Sequence, residues 1–178
     1  MNMQIRLATI ADIPELQELI RESVSGLSTE YYTASQIESA LSHVFGVDTQ
    51  LILDGTYYIA EIEAKLVGSG GWSKRKTLFG GDQSKADQAD ELLDPNTEAA
   101  RIRAFYVHPR WSRKGVGSRI LTECELSAKL AGFTRIELVA TLPGEPLYTA
   151  RGYEKAGAMQ LETSDGESLP AFRMTKVL

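Results

Sequence analysis

Two glycines in the second half of the chain lie where a strand pattern gives way to a helix pattern, and this placement favours anion binding. The segment consists of Arg113, Lys114, Gly115, Val116, Gly117 and Ser118. Glycine lets a backbone approach a ligand closely, and the first amides of a helix lack internal partners while its dipole favours negative charge. Strand, Gly-x-Gly turn and helix start together form a pyrophosphate cradle. The alternative is a plain turn whose glycines only satisfy backbone geometry.

Two better-known phosphate loops do not fit these residues. A dinucleotide-binding turn would carry a third glycine and, about 20 positions further on, an acidic residue, but Ile120 stands at the third glycine's position. A nucleoside triphosphate loop would read Gly-Lys-Ser/Thr after four spacer residues, and that order does not occur in the sequence. The cradle is therefore of another kind.

The residues around the two glycines resemble the signature of the GNAT acetyltransferases. That family's pattern is Gln/Arg-x-x-Gly-x-Gly/Ala after a strand that ends in Val-x-Pro, and Val107, Pro109, Gly115 and Gly117 match it. Ser112 stands where the family has Gln or Arg. This departure removes one polar contact, but the amide cradle does not depend on that side chain.

A second segment extends the resemblance. Residues 147–153, Leu-Tyr-Thr-Ala-Arg-Gly-Tyr, are similar to the family's Phe/Leu-Tyr-x-x-x-Gly-Phe segment, whose tyrosine lies near the coenzyme sulfur. The resemblance therefore places Tyr148 beside the thioester. Thr141 stands where many relatives carry an asparagine that contacts the pantetheine arm.

The resemblance implies an N-acetyltransferase in which a primary amine of a small molecule or peptide attacks acetyl-CoA directly. In the family, the strand before the cradle offers backbone groups to the pantetheine, and here these belong to Phe105, Tyr106 and Val107. Tyr148 is the candidate acid, because a well-positioned phenol of pKa about 10 can protonate a departing thiolate of pKa about 8.5. The alternative for Tyr148 is a packing residue on a short helix.

The sequence does not reveal a general base. Relatives often carry a glutamate on the strand before the cradle, but this stretch offers Arg101, Arg103 and Tyr106. Glu98 lies just upstream and is one candidate, and a water chain or a residue from elsewhere in the sequence is the alternative. His108 is expected to be a structural residue at the end of the strand. The missing base motivates a second hypothesis, a non-catalytic module that binds or senses acyl-CoA. A binder of another phosphorylated ligand is the third.

Three aromatic residues outside these motifs are candidates for contact with the acceptor. Tyr31 and Tyr32 lie in a predicted loop between two helices, and in the family this loop often covers the acceptor. Trp72 precedes a basic stretch, and the alternative for this part is a core tryptophan followed by a solvated loop. The expected partners are acetyl-CoA as cosubstrate and an amine acceptor.

The order of elements predicts a single α/β (α+β) domain over residues 1–178, with the GNAT fold. We expect a mixed central sheet of about six to seven strands and about four helices, because early strands are joined by tight turns and later ones by helical crossovers.

Three local predictions go with this fold. Residues 51–53 are predicted as strand, followed by a hairpin turn at Asp54-Gly55. Residues 25–32 are predicted as a loop between helices. The polar, acidic residues 79–98 are predicted to be a flexible loop.

Composition excludes several other classes of protein. The formal net charge of −5 argues weakly against a general nucleic-acid binder, and the single cysteine, Cys124, fits a reducing compartment. The sequence has no metal-ligand cluster, signal peptide or bilayer-length apolar stretch. We therefore expect a cytoplasmic protein without metal or membrane association. Pairing as a homodimer stays open, because many relatives form dimers.

Overall fold

A computed structural model describes residues 2–85 and 90–178 of the chain. The strands of this part are β1 (Met3–Leu7), β2 (Tyr57–Ile62), β3 (Lys65–Ser73), β4 (Ala100–Val107), β5 (Arg135–Thr141), β6 (Glu154–Glu162) and β7 (Ser168–Val177). The helices are α1 (Ile13–Leu27), α2 (Ala34–His43), α3 (Thr49–Leu53), α4 (Val116–Leu130) and α5 (Glu145–Ala150).

The described strands form one sheet in the order β1-β2-β3-β4-β5-β7-β6. Strands β4 and β5 are parallel, while the other neighbouring pairs are antiparallel. The predicted mixed sheet is therefore confirmed. The parallel pair is joined through α4, as a parallel connection requires.

The two faces of the sheet carry separate apolar cores. Helix α4 covers one face with a buried stripe that includes Val116, Ile120, Leu121, Cys124 and Ala128. Helices α1 to α3 cover the other face through residues such as Leu16, Ile20, Ile37 and Leu51. Cys124 is fully buried, and burial raises the pKa of its thiol well above the ordinary value.

The predicted strand at residues 51–53 is wrong, because these residues belong to α3. Asp48 caps this helix and accepts a hydrogen bond from the amide of Leu51 at 3.4 Å. Asp54-Gly55 follows the end of α3 and does not turn a hairpin. A short apolar run fits either a buried strand or a buried helix, so the sequence did not separate the two.

The hairpin of this region lies further on, between β2 and β3. Glu63 and Ala64 form its turn with φ angles of 52° and 57°, the positive values that two-residue hairpin turns require. Neither residue is a glycine, which explains why the pattern pointed to Asp54-Gly55 in place of this turn.

The predicted loop at residues 25–32 is wrong in its first part, because α1 continues to Leu27. Gly26 lies inside the helix, where an added Cβ would be 2.4 Å from Cγ of Pro109. The glycine therefore permits close packing of α1 against the end of β4 and does not interrupt the helix.

The polar segment predicted to be flexible is described only on both sides of residues 86–89. Leu93 is buried, Leu92 forms a β-bridge with Arg75, and the Asp90 carboxylate accepts a hydrogen bond from the Thr77 amide at 2.8 Å. The prediction for residues 86–89 themselves lies outside the described part.

Strand β4 carries the irregularity that opens the sheet. Ala104 has a φ of 54°, and the register with β3 shifts so that Ala104 and Phe105 together face Gly70. A bulge of this kind bends a strand and increases its twist. Strand β4 pairs with β5 at Ala100 and Arg101, and beyond these residues the two parallel strands diverge.

Candidate active site

A cleft of about 450 Å³ opens where β4 and β5 diverge. Its lining includes residues from both apolar cores, so it reaches both faces of the sheet. We call its two parts the α4 end, lined by Phe105, Val107, Val116, Gly117, Ser118 and Tyr148, and the α1–α3 end, lined by Phe45, Leu78, Phe79, Tyr106, Val139 and Leu161. Ligands that enter from opposite faces can therefore meet between the two strands.

The turn before α4 presents free amides to the α4 end. Arg113 and Gly115 have φ angles of 61° and 85°, and Gly115 is the N-cap of the helix. A Cβ at Gly115 would meet nothing within 4 Å, so the backbone angle, and not lack of space, requires the glycine. Within the described ranges, no backbone carbonyl accepts a hydrogen bond from the amides of residues 113–118.

The residues predicted to hold a pyrophosphate lie together, with one exception. Arg113, Gly115, Val116, Gly117 and Ser118 line the cleft, whereas Lys114 does not. Its ammonium lies 5.0 Å from the ring centroid of Trp111. Trp111 itself lines the cleft, so the lysine adds positive charge just outside the α4 end.

The backbone of residues 105–107 runs along the opening. The Val107 amide donates to Oγ of Ser23 at 3.2 Å, while the next amide, that of His108, donates to the Val67 carbonyl of the β3 side at 2.9 Å. Because amide directions alternate along a strand, the Phe105 amide lies on the same edge of β4 as that of Val107. This edge faces the gap between β4 and β5.

Tyr148 lies on α5 beside this gap. Its ring packs edge-on against Tyr153 with 5.7 Å between centroids, and the side chain lines the cleft although little of it is exposed. Burial raises the pKa of the Tyr148 phenol above its ordinary value. The hydroxyl therefore stays protonated at neutral pH and is available as a donor.

The three aromatic residues predicted to contact the acceptor are not brought together. Tyr31 is exposed and Trp72 is buried against Phe133 in the core under α4, and neither lines the cleft. The Tyr32 hydroxyl donates to the Pro170 carbonyl at 2.8 Å and accepts from the Leu142 amide at 2.9 Å. Tyr32 therefore fastens the loop before α2 to β7 and to the end of β5.

His108 and Glu98 both have structural partners outside the cleft. Nδ1 of His108 accepts the Arg110 amide at 3.1 Å, and its Nε2 lies 3.2 Å from the Glu22 carboxylate. Glu98 accepts the Asp94 amide at 2.8 Å. Neither side chain lines the cleft.

A buried ion pair beside the cleft was missed by sequence reasoning. Arg103 on β4 contributes to the lining, and its guanidinium pairs with Asp48, both side chains being fully buried. Asp90 lies 3.3 Å from the same guanidinium, and Lys85 pairs with Asp48 at 2.5 Å. Asp48 and Arg103 are 55 positions apart, so no local spacing could have indicated the pair.

The described lining of the cleft holds two charged side chains, Arg103 and Arg113, and neither a carboxylate nor a histidine. Over residues 2–85 and 90–178, no His, Cys, Asp and Glu side chains are grouped to hold a metal ion. None of the helices in these ranges has the length and apolarity to cross a membrane.

Comparison with known proteins assigns the family. Residues 53–155 match the family model of the acetyltransferase (GNAT) domain. This match covers more than half of the chain, so the protein belongs to the GNAT acetyltransferases. No curated protein gives a significant match to its sequence.

Solved structures share the whole fold at low sequence identity. A GCN5-related N-acetyltransferase from Rhodopseudomonas palustris has a TM-score of 0.74 at 21% identity, over 100% of this chain and 99% of its own. The PaiA N-acetyltransferase from Thermoplasma acidophilum, in complex with coenzyme A, has a TM-score of 0.67 at 19% identity over 100% of both chains. YncA from Salmonella typhimurium, with its cofactor acetyl-CoA, has a TM-score of 0.65 at 17% identity, over 99% of this chain and 94% of its own. The predicted GNAT fold is confirmed.

Proposed function

We propose that the protein is an N-acetyltransferase that moves an acetyl group from acetyl-CoA to a primary amine by direct attack. The observation that carries the proposal is one cleft in which the free amides of residues 113–118, the open edge of β4 and the Tyr148 side chain converge. Membership of the GNAT family supports acyl transfer. Coenzyme A or acetyl-CoA in two structures of the same fold supports the choice of cosubstrate.

The pyrophosphate of the coenzyme would bind at the start of α4. Free amides and the helix dipole both favour an anion there, and Arg113 and Lys114 add charge to the mouth. Gly117 lets α4 approach α5, since a Cβ there would lie 2.9 Å from Cδ2 of Leu147. Backbone groups supply this site, so Ser112 in place of the family's Gln or Arg does not remove it.

The pantetheine arm would lie along the open edge of β4. Strand β5 no longer pairs with β4 beyond Arg101, so the Phe105 amide is free to bind an amide of the arm as a further strand would. This arrangement would carry the thioester into the gap beside Tyr148. The arm would replace the missing partner strand, since backbone groups inside a protein need hydrogen-bond partners.

In the reaction, the amine nitrogen attacks the thioester carbonyl, an N–C bond forms and the C–S bond breaks. The coenzyme leaves as a thiolate, which the Tyr148 hydroxyl protonates, the attacking nitrogen loses a proton to water, and water returns a proton to the Tyr148 phenolate. Burial keeps Tyr148 protonated, as an acid must be before the step. The described lining offers no carboxylate or histidine to take the proton from nitrogen, so the amine would react as the free base.

The same lack of a base favours a second candidate, a module that binds acyl-CoA without catalysis. Calorimetric titration with coenzyme A, with ATP and NAD as comparison ligands, tests the binding site. Release of coenzyme thiol from acetyl-CoA over a panel of amines then tests transfer. We expect selective coenzyme A binding and acetylation of at least one amine. Binding without turnover on any amine would favour the module, and no binding would contradict both candidates.

A further inference from the structure

We infer that the acceptor is a monoamine with an apolar or aromatic body, and that this body binds at the α1–α3 end of the cleft. The inference depends on the proposed N-acetyl transfer and adds the substrate class to it.

The α1–α3 end is formed by apolar and aromatic side chains from separate parts of the chain. Phe45 follows α2, Leu78 and Phe79 follow β3, and Val139 and Leu161 lie on β5 and β6. These side chains all pack against the core under α1 to α3, or belong to it, except Leu78. Phe45 also meets Tyr106 edge-on, with the ring centroids 6.4 Å apart. The surface they share is suited to an apolar group, because burial of apolar area stabilises a complex.

Charge at this end argues against acceptors with further ionic groups. Among the described residues, Arg103 is the charged side chain that lines the cleft near this end. Its guanidinium is buried against Asp48 and Asp90. A polyamine or aminoglycoside would bury additional ammonium groups without an anionic partner, which is strongly unfavourable. An acidic acceptor would need a free cation, but the charge of Arg103 is already compensated.

The position of the α4 end sets the orientation of the acceptor. Tyr148 and the open edge of β4 place the thioester in the gap, so the acceptor nitrogen must reach the gap from the opposite face. Tyr106 and Val139 line the cleft from the two diverging strands, and Phe45 and Phe79 from the segments beyond them. An amine that enters this way presents its nitrogen to the gap and leaves its body among the aromatic side chains.

The test compares kcat/KM for three amines: n-pentylamine, putrescine and 2-phenylethylamine. Pentylamine carries a methyl group where putrescine carries its second ammonium. We expect pentylamine to exceed putrescine by about tenfold or more and phenylethylamine to be better still. Phe79→Ala should lower kcat/KM for phenylethylamine about tenfold, with coenzyme A affinity unchanged. Phe79→Asp adds an anionic partner for the second ammonium, so it should lower the ratio of kcat/KM for pentylamine to that for putrescine, or bring this ratio below one.

Leu53→Asp is the matched control, because Leu53 is 71% exposed and does not line the cleft. We expect its amine preference to equal that of the parent protein. Phe45→Leu provides a milder second variant if Phe79 variants fold poorly, and it should lower phenylethylamine turnover in the same direction. Thermal unfolding of each variant separates loss of fold from loss of preference.

Equal or better turnover of putrescine than of pentylamine would overturn the inference and leave N-acetyl transfer standing. If acetyl-CoA binds but no amine is acetylated, titration of 2-phenylethylamine into coenzyme-saturated protein decides. Saturable binding that Phe79→Ala weakens would support the apolar site, and lack of binding would overturn it. Failure to bind acetyl-CoA would overturn the proposed function and the inference with it.

Discussion

The ring of Tyr148 lies edge-on against the ring of Phe105, with 6.0 Å between the centroids. Tyr148 belongs to α5 and Phe105 to β4, so this contact spans the opening between the diverging strands. Phe105, whose backbone amide we propose to bind the coenzyme arm, thus also packs against the proposed acid. If the proposed roles hold, a change in the ring of Phe105 should therefore also affect the placement of Tyr148.

Removal of the Tyr148 hydroxyl should slow the chemical step. Tyr148→Phe keeps the ring and its packing but removes the proton donor, so we expect kcat to fall about 10²-fold with little change in coenzyme A affinity. Steady-state kinetics and calorimetry measure the two effects. Tyr153→Phe is the matched control, since it loses the same group from the neighbouring ring outside the cleft. An unchanged kcat in Tyr148→Phe would remove this residue from the mechanism.

One glycine precedes α4 and another follows it, and substitutions at the two sites separate the effect of backbone strain on stability from the effect of the N-terminal turn on coenzyme A binding. Gly115 and Gly132 have φ angles of 85° and 95°, so alanine at either site should cost about 1–2 kcal/mol of stability. Only Gly115→Ala should also weaken coenzyme A binding, by about tenfold, because it disturbs the free amides. Urea unfolding and calorimetry test both. Equal affinities in the two variants would place the pyrophosphate elsewhere.

The pH dependence should follow ionisation of the acceptor. Without a base in the described lining, only the free amine reacts, so kcat/KM should rise about tenfold per pH unit below the amine pKa of about 10. Because burial raises the pKa of Tyr148, loss of the acid should produce no downturn between about pH 6 and 9. Initial rates over this range provide the test. A plateau near neutral pH would show that the protein supplies a base.

The ion pair between Asp48 and Arg103 should be important for folding. Asp48→Asn leaves the buried Arg103 without its closest partner, and loss of one member of a buried pair costs about 3–5 kcal/mol. Glu91→Gln removes a carboxylate from an exposed pair with Lys76 and should leave stability unchanged. Urea unfolding of the two variants measures the difference. A similar small effect in both would mean that solvent reaches Arg103.

The strand, turn and helix around Gly115 were predictable because local signals mark them. Pro109 follows the end of β4, and Gly132 follows α4, which begins at Val116. The signals around residues 51–53 were ambiguous, because Asp54-Gly55 also suits a hairpin turn and a run of three apolar residues does not distinguish a helix from a strand. Packing under β3 decides in favour of the helix, since an added Cβ at Gly71 would lie 2.9 Å from Cδ1 of Leu51.

The α4 end of the cleft was easier to predict than the α1–α3 end for the same reason. Residues 113–118 are contiguous, and their amides depend on local conformation. Phe45, Phe79 and Leu161 line one end of the cleft because the fold brings distant segments of the chain together. Tyr31, although next to Tyr32 in sequence, is exposed while its neighbour is anchored. Long-range packing of this kind leaves no spacing rule in a single sequence.

The burial of Cys124 gives the protein an internal reporter. It is the one cysteine in the sequence, and it faces β3 from within α4, with its thiol 3.8 Å from the Gly70 carbonyl. A disulfide reagent that releases a coloured thiolate should therefore react with the coenzyme thiol formed during turnover and not with Cys124 of the folded protein. Slow labelling of Cys124 by the same reagent would then measure how often local unfolding separates α4 from the sheet, without any engineered probe.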